Sequence, residues 1–252
     1  MTTISVLTAV HEGARPFLPA AYASLIAQEL PPGWSWEWCI QEDGPHVSAK
    51  DVLPNDPGIH IGSSRKGGPA VTRTMAFARS TGSLIKVLDA DDELTAGALA
   101  RDIAVLSTDT SVGWTTSRVV DLMPDGSLLG FEGDPAPGVL PQGAVLSHWS
   151  AHRRPQVHPA TLCARRDLVT LLGGWMALPA SEDTGLLTAL SVLAKGYFIP
   201  ETGLRYRKHE AQSTAHPDHS SGEEWEARMH LIKERAEALT GFVKGEFMNS
   251  PK

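Results

Sequence analysis

The sequence contains little cysteine, no excess of basic charge and no long apolar run, and each absence excludes a class of protein. Only two of its 252 residues are cysteines, and both lie inside apolar segments, which predicts buried thiols in a reducing compartment and not a disulfide framework. The formal net charge is −7 and the basic stretches are short, so a general nucleic-acid-binding protein, which needs a basic stripe, is excluded.

No apolar stretch approaches the ~18 residues that span a bilayer, so we predict no membrane span. The first residues, MTTISVLTAVHEG, have no basic segment, and their apolar run is too short for a signal peptide. The composition is otherwise typical of a globular protein, with 42% hydrophobic and 20% charged residues. We therefore expect a cytoplasmic protein that is long enough to bury a sizeable core.

The first half of the chain does contain a clear signal, because strand and helix patterns alternate along it. Four apolar runs have the length and flanking turns of strands: 4–10, 36–41, 58–62 and 84–88. Helical patterns at 15–30 and 68–82 lie between them. This order predicts an α/β fold built from βαβ units, with a mostly parallel central sheet flanked by helices.

An acidic cluster follows the fourth predicted strand, with four carboxylates within residues 89–93. Two carboxylates ~4 Å apart repel by roughly 4 kcal/mol at an effective dielectric constant near 20, so they must point apart or share a cation. One interpretation is the start of a helix, because acidic residues complement the helix dipole. The other is a ligand site, because ligands bind beyond the carboxyl ends of parallel strands, where 10–13 and 42–45 also lie.

The second half of the chain is less regular. Residues 111–131 predict a hairpin around Met123–Gly126, and the proline- and glycine-rich segment 132–143 predicts a loop. A helix is predicted over 180–196, with Ser181 as its N-cap and a glycine at its end, and an amphipathic helix over 222–242.

Five segments, in this order, resemble those of family 2 glycosyltransferases: ISVLTAVHEG (4–13), CIQEDGP (39–45), GGPAVTRTMAFARSTGSLIKVLDADDEL (67–94), SEDTGLLTAL (181–190) and LRYRKHEAQST (204–214). The resemblance runs from residue 4 to about 213 and implies the GT-A fold. The chain departs from the family pattern at Thr74, where asparagine is usual, and at Glu42, where aspartate is usual.

The resemblance implies that Asp89 and Asp91 are the acids of a DxD motif. Asp91 would bind a divalent metal, Mn²⁺ or Mg²⁺, for which oxygen ligands are suited, and His209 is a possible further metal contact. Asp89 would face the ribose or a metal-bound water. Arg73 and Arg207 could pair with diphosphate oxygens, as guanidinium groups often do, or could be ordinary surface charges.

The resemblance also implies that Asp183 is the general base that deprotonates the acceptor. Glu182 is its neighbour on the same predicted helix and points elsewhere, so both cannot be the base. Without the resemblance, both acids would be read as favourable charges at a helix N-terminus. Trp175 would line the acceptor side, or would simply pack in the core.

A nucleoside pocket is implied at Ala9, Val10, Glu12 and Asp43. If Asp43 accepts a hydrogen bond from a base N–H, then uracil, thymine or guanine is favoured, and the donor is a UDP-, dTDP- or GDP-sugar. Asp43 could equally cap the turn that follows its strand.

These observations predict an inverting, metal-assisted glycosyltransferase that moves a sugar to a hydroxyl or amine of a small-molecule or glycan acceptor. We expect a single domain, with a nucleotide-binding half (1–110), an acceptor and catalytic half (111–215) and a C-terminal helix and tail (216–252). The richness in Ala, Gly, Arg and Asp suggests a bacterial source. The alternatives are a phosphatase of the haloacid dehalogenase type, a nucleotidyltransferase, or a catalytically silent sugar-binding relative.

Overall fold

The structure is a computed structural model, and it describes residues 1–209, 212 and 219–245. The tail expected after the C-terminal helix lies outside the described residues, and so does most of the end of the last motif, at 210–211 and 213–214.

Strands and helices alternate along the first half of the chain, as the sequence predicts. The strands are β1 (Thr2–Val10), β2 (Trp34–Asp43), β3 (Ile59–Ser64), β4 (Leu84–Val87), β5 (Glu93–Leu94), β6 (Val112–Leu122), β7 (Leu128–Gly130), β8 (Gly138–Leu140), β9 (Cys163–Arg165) and β10 (Lys195–Arg207). The helices are α1 (Leu18–Ile26), α2 (Gly68–Arg79), α3 (Ala98–Thr108), α4 (Ala144–His152), α5 (Arg166–Leu171), α6 (Glu182–Leu193) and α7 (Glu223–Val243). Short 3-10 helices span Glu12–Phe17, Ala49–Asp51 and Pro159–Thr161.

One mixed sheet runs through the molecule in the strand order β3-β2-β1-β4-β9-β6-β10-β5. The neighbours among β1 to β4 pair in parallel, and so do the long strands β6 and β10. The short strands β5, β7, β8 and β9 pair antiparallel with their neighbours. The predicted class, an α/β fold with a mostly parallel sheet flanked by helices, is confirmed.

Apolar side chains cover both faces of this sheet. On one face Val6 packs in a cluster with Leu25 of α1 and Leu99 of α3. On the other face Leu7 packs in a cluster that includes Leu187 of α6. Because both faces are buried, the parallel strands read as continuous apolar runs, which is why the sequence identifies them.

A buried ion pair joins β4 to α3. Lys86 of β4 and Asp102 of α3 are each 1% exposed, and Lys86 Nζ donates to Asp102 Oδ2 over 2.7 Å. Lys86 Nζ also donates to the carbonyl of Thr161, and Thr115 Oγ1 donates to Asp102 Oδ1. The charges therefore balance one to one, and each has further hydrogen bonds.

Of the two interpretations of the acidic cluster at 89–93, the start of a helix is wrong. The N–H of Asp92 donates to the carbonyl of Asp89 in a turn, and Glu93–Leu94 then pairs antiparallel with β10. The helix begins only at Ala98, after Gly97 has taken a left-handed conformation with φ of 71°. The acids at 89–93 thus lie between two strands and do not complement a helix dipole.

Two other expectations for the second half need correction. The segment 132–143 is not all loop, because it contains β8, which pairs with β10. The glycine at the predicted helix end, Gly196, lies instead in β10, because α6 ends at Leu193. A Cβ at Gly196 would lie 2.2 Å from the Trp114 ring, so the glycine allows the strand to pass under the indole.

Candidate active site

A cavity of about 530 Å³ opens at the carboxyl ends of β1, β2 and β4. Its walls come from the ends of these strands, the first turns of α2 and α6, the segment 158–160 and part of α7. The following predicted site residues line it: Ala9, Val10, Asp43, Arg73, Asp89, Asp91, Glu182 and Asp183. The end of β2, the turn after β4 and the start of α6, which are far apart in sequence, thus bring acidic side chains to one space.

Arg73 of α2 connects the acids of two different motifs. Its Nη2 contacts Asp89 Oδ1, and its Nη1 contacts Glu182 Oε1. Burial lowers the pKa of Arg73, but the carboxylates of Asp89, Glu182 and Asp183 raise it by more, so the net shift is upward. The guanidinium is therefore permanently charged, and it joins the acids after β4 to the start of α6.

The two acids at the start of α6 have different surroundings. Glu182 is 4% exposed and contacts Arg73. Burial raises the pKa of Glu182 to about 7, although the charge of Arg73 opposes the rise. Asp183 is partly exposed in the cavity, and its Oδ1 accepts the N–H of Thr184 over 2.6 Å. Glu182 is thus committed to Arg73, whereas Asp183 faces the space that a substrate would occupy.

A left-handed residue precedes this acidic pair. Ser181 has φ of 62°, which costs a non-glycine residue of order 1 kcal/mol or more. Its hydroxyl accepts a hydrogen bond from Nη1 of Arg228 on α7 over 2.8 Å, and it makes no side-chain cap to α6. The predicted N-cap position is therefore correct, but the hydroxyl contacts α7 instead of the helix it precedes.

Asp91 and His209 meet beside the cavity. Asp91 Oδ2 lies 2.8 Å from His209 Nε2, and the His209 ring packs on the Phe17 ring with centroids 4.7 Å apart. Two adjacent ligands of an octahedral cation with ~2.1 Å bonds lie roughly 3 Å apart, so these atoms have a separation suited to a shared cation. Among the described residues, no group of three or more His, Cys, Asp or Glu side chains is arranged to hold a metal. The pair fits a cation that takes its other ligands from water and substrate.

Arg207 holds the acidic cluster from the side of β10. Its Nε donates to the carbonyl of Asp91 over 2.9 Å, and its Nη2 contacts Glu93. Its backbone N–H donates to Oδ1 of Asp92, which is 1% exposed. Burial, together with the charges of Asp89 and Asp91, raises the pKa of Asp92 well above its usual range. Arg207 does not line the cavity, and its guanidinium contacts the acidic cluster from outside it.

The Asp43 side chain bonds to the loop before α2 and not to the turn that follows its own strand, which was the alternative role expected from the sequence. Its Oδ1 accepts the backbone N–H of Gly67 over 2.6 Å and that of Gly68 over 3.2 Å, which fixes the loop before α2. Glu42 is buried, and its Oε1 accepts the N–H of Ala49 over 2.6 Å. Asp43 nevertheless lines the cavity, so a base could also reach it.

Two more predicted site residues, besides Arg207 and His209, do not line the cavity. Glu12 is exposed in the 3-10 helix after β1, and its neighbour His11 lines the cavity instead. Trp175 is 6% exposed and belongs to the same apolar cluster as Leu187, which is the core position that the sequence left open. The backbone N–H of Trp175 donates to the hydroxyl of Thr74 over 3.2 Å, so the residue that departs from the family pattern ties α2 to this segment.

Several cavity residues have no counterpart in the sequence predictions. They are Thr72, His158, Tyr206, Gln212, His219 and Arg228. Tyr206 and Gln212 lie inside the last quoted motif, so that motif could have indicated them. Nothing local distinguishes His158 or Arg228, because their position depends on how the second half of the chain packs.

The described residues contain no helix that is both long enough and apolar enough to cross a membrane.

The carboxyl ends of the strands of an α/β sheet are a common place for ligands to bind, and here they carry acids at a cavity. The family model described as glycosyl transferase family 2 matches residues 5–126. This stretch therefore matches family 2 glycosyltransferases, and the predicted resemblance and enzyme class are confirmed. No curated protein matches the chain.

Solved structures of TarS from S. aureus are similar to the whole chain. The crystal structure of TarS 1–349 in complex with UDP-GlcNAc has a TM-score of 0.70 and 16% sequence identity, over 99% of this chain and 72% of that chain. The complex of the same TarS fragment with UDP has a TM-score of 0.67 and 15% identity, over 99% of this chain and 71% of that chain. At such identities the likeness establishes the fold, which is the predicted GT-A fold.

Proposed function

We propose that this protein is an inverting glycosyltransferase that moves a sugar from a nucleoside diphosphate sugar to an acceptor hydroxyl or amine. The observation that carries the proposal is the content of one cavity. Ala9, Val10 and Asp43 line one part of it, Asp89 and Asp91 another, and Asp183 a third. A nucleoside, a diphosphate and an acceptor need these three surroundings side by side.

The donor that the proposal favours is a UDP-sugar. TarS, whose fold this chain shares, has been crystallised in complex with UDP-GlcNAc and with UDP. In this chain, Asp43 at the end of β2 would accept a hydrogen bond from the N–H of uracil. Thymine and guanine offer a similar N–H, so dTDP- and GDP-sugars remain competitors to be tested. Small molecules and glycans are the proposed acceptors.

Asp91 and His209 are the proposed metal-binding pair. A divalent cation such as Mn²⁺ or Mg²⁺ would act there as a Lewis acid for the departing diphosphate. The contacts of Arg207 with the Asp91 carbonyl and with Glu93 would hold this pair at the cavity edge. Arg73, which contacts Asp89 and Glu182, would keep both acids in place while the diphosphate binds.

Asp183 is the proposed general base. The oxygen of the acceptor hydroxyl would attack C1 of the sugar while its proton moves to the Asp183 carboxylate. The bond between C1 and the diphosphate oxygen would break in the same step, with both electrons leaving on the nucleoside diphosphate. Attack from the side opposite the leaving group inverts C1. Glu182 would act as a positioning residue, because its carboxylate is buried against Arg73.

The test is calorimetric titration of UDP, dTDP and GDP, each with and without Mn²⁺, into the wild type and two matched variants. Asp91→Asn should lose metal-dependent nucleotide binding. Asp183→Asn should retain that binding but transfer sugar at least ~10²-fold more slowly, because general base catalysis contributes that much.

Each contrary result has a definite meaning. If the wild type binds no nucleotide, the proposal is wrong. If it binds tightly without metal, the leaving group is stabilised by protein cations instead, of which Arg73 lines the cavity. If Asp183→Asn transfers sugar at the wild-type rate, the base lies elsewhere.

A further inference from the structure

His158 lines the cavity and is not used in the proposed reaction. It occupies the N-cap position of the 3-10 helix Pro159–Thr161, between α4 and β9. Its Nδ1 accepts the backbone N–H of Ala160 over 3.3 Å. A neutral imidazole that accepts at Nδ1 carries its proton at Nε2, so the hydrogen bond to Ala160 selects the ring nitrogen that donates.

The neighbours of His158 hold its ring and keep it neutral. The ring packs at a tilt on the ring of Tyr206, with centroids 5.0 Å apart, and Tyr206 also lines the cavity. Burial lowers the pKa of His158, and this effect outweighs the opposing charges of Asp183 and Asp89. At neutral pH the group is therefore an uncharged donor, and no described side chain accepts a hydrogen bond from its Nε2.

The position of His158 relative to the two acids identifies the part of a substrate that it would meet. In the proposed reaction Asp89 belongs to the diphosphate side of the cavity and Asp183 to the acceptor side, and His158 lines the same cavity as both carboxylates. During transfer the bond from C1 of the sugar to the diphosphate breaks while the bond from C1 to the acceptor oxygen forms. The sugar must therefore lie between the diphosphate and the acceptor. His158, which shares the cavity wall with both acids, therefore lies where the sugar would bind.

The chemistry of this space explains why a neutral donor is useful there. Ionised carboxylates such as Asp89 and Asp183 only accept hydrogen bonds, whereas every sugar hydroxyl also has lone pairs that need a donor. Two buried cations line this cavity: Arg73 contacts Asp89 and Glu182, and Arg228 contacts Ser181 and Glu224. An uncharged N–H can serve a sugar oxygen without adding positive charge beside the proposed base.

We propose that His158 donates a hydrogen bond from Nε2 to an oxygen substituent of the transferred sugar, and so determines which sugar the site accepts. This inference rests on the proposed function, because it needs a nucleotide sugar in the cavity. It predicts that His158 contributes to binding of the whole donor and not to binding of the nucleoside diphosphate alone.

The experiment compares the dissociation constants of UDP and UDP-GlcNAc by calorimetry, with Mn²⁺ and without acceptor. If another nucleotide proves to be the ligand, its diphosphate and its sugar replace these. The measured quantity is the ratio of the two constants, that is, the gain in affinity due to the sugar. His158→Phe keeps a ring against Tyr206 but removes the donor, and we expect the gain to fall by about tenfold, as for one lost hydrogen bond.

Two further variants make the comparison specific. His158→Gln keeps an N–H donor on the side chain and should recover part of the gain. His11→Phe is the matched control, because His11 also lines the cavity and also accepts a local backbone N–H at Nδ1, from Gly13. His11 follows the end of β1, on the nucleoside side of the cavity. His11→Phe should therefore leave the ratio of the two dissociation constants unchanged, even if it weakens the binding of UDP.

The outcomes separate this inference from the proposed function. If the wild type binds UDP but His158→Phe keeps the full gain, His158 does not contact the sugar and the inference is wrong. The inference is also wrong if His158→Phe weakens UDP and UDP-GlcNAc equally. Should the variants not fold, the wild type can be titrated with donors that lack one sugar oxygen at a time; the inference fails if no single deletion reduces the gain. If the wild type binds no nucleotide, both ideas fall together.

Discussion

Lys86 and Arg73 are two of the cations buried in the described part of the chain, and the difference between their surroundings separates a charge sealed in the core from one at the wall of a cavity. Lys86 has a single carboxylate partner, Asp102, and both are sealed in the core. Arg73 has two contacting carboxylates, and the charge of Asp183 acts on it as well. Arg73 and its acidic neighbours therefore have more carboxylates than cations, and they lie at the wall of a cavity. Such an excess of acids suits a site that receives a cation with its substrate.

The largest effect on stability should come from breaking the balanced pair. Lys86→Met leaves Asp102 charged and without its cation in the core, which costs about 3–5 kcal/mol in the free energy of unfolding. Chemical denaturation measures this loss. The double variant Lys86→Met/Asp102→Leu should recover much of it, because no lone charge is then buried. A loss below about 1 kcal/mol for Lys86→Met would show that the pair is not structural.

Arg73 should show the opposite balance of effects. Arg73→Lys keeps the charge but cannot contact Asp89 and Glu182 together in the geometry of a guanidinium fork. We expect kcat/KM for sugar transfer to fall by about 10²-fold, with a smaller loss of stability than in Lys86→Met, because Glu182 can take up a proton. Steady-state kinetics and denaturation of the same preparations test this. Equal stability losses in the two variants would remove the distinction between the pairs.

A smaller effect should appear as a pH dependence of stability. The folded-state pKa of Glu182, about 7, lies above its ordinary value of 4.5. The stability that Glu182 contributes is therefore fully present below about pH 4.5 and is lost as the pH rises through 7. Glu182→Gln does not ionise, so its free energy of unfolding relative to the wild type should rise between pH 5 and pH 8, by at most about 3 kcal/mol. Denaturation curves at the two pH values decide the matter; a difference that stays constant or falls contradicts the assignment.

The first half of the chain could be predicted because its signals are local. Apolar runs such as 4–10 and 84–88 are bounded by turn residues, and both faces of their strands are buried. The likeness of residues 67–94 to a known motif also indicated Arg73, Asp89 and Asp91, which do lie together.

The second half resisted prediction because its structure depends on distant pairing. Glu93–Leu94 became a strand through its contact with β10, more than a hundred residues later in the chain, which no local pattern reveals. His158 reaches the cavity because the Pro159–Thr161 turn packs beneath it, and Arg228 because α7 packs on α6. The role of Trp175 could not be decided from the sequence either. An aromatic residue before a helix can pack in the core or can stack on a sugar, and the sequence looks the same in both cases.

The shared contact of Arg73 with Asp89 and Glu182 also bears on how such a protein changes over generations. Replacing either acid leaves the arginine and the remaining acid in an altered balance, so the effects of the two replacements should not add. A change at one of the three residues should therefore depend on which residues stand at the other two, although they belong to segments far apart in the gene. A chimera that exchanges the first half of this chain for that of a relative would have to carry the first turn of α6 with it.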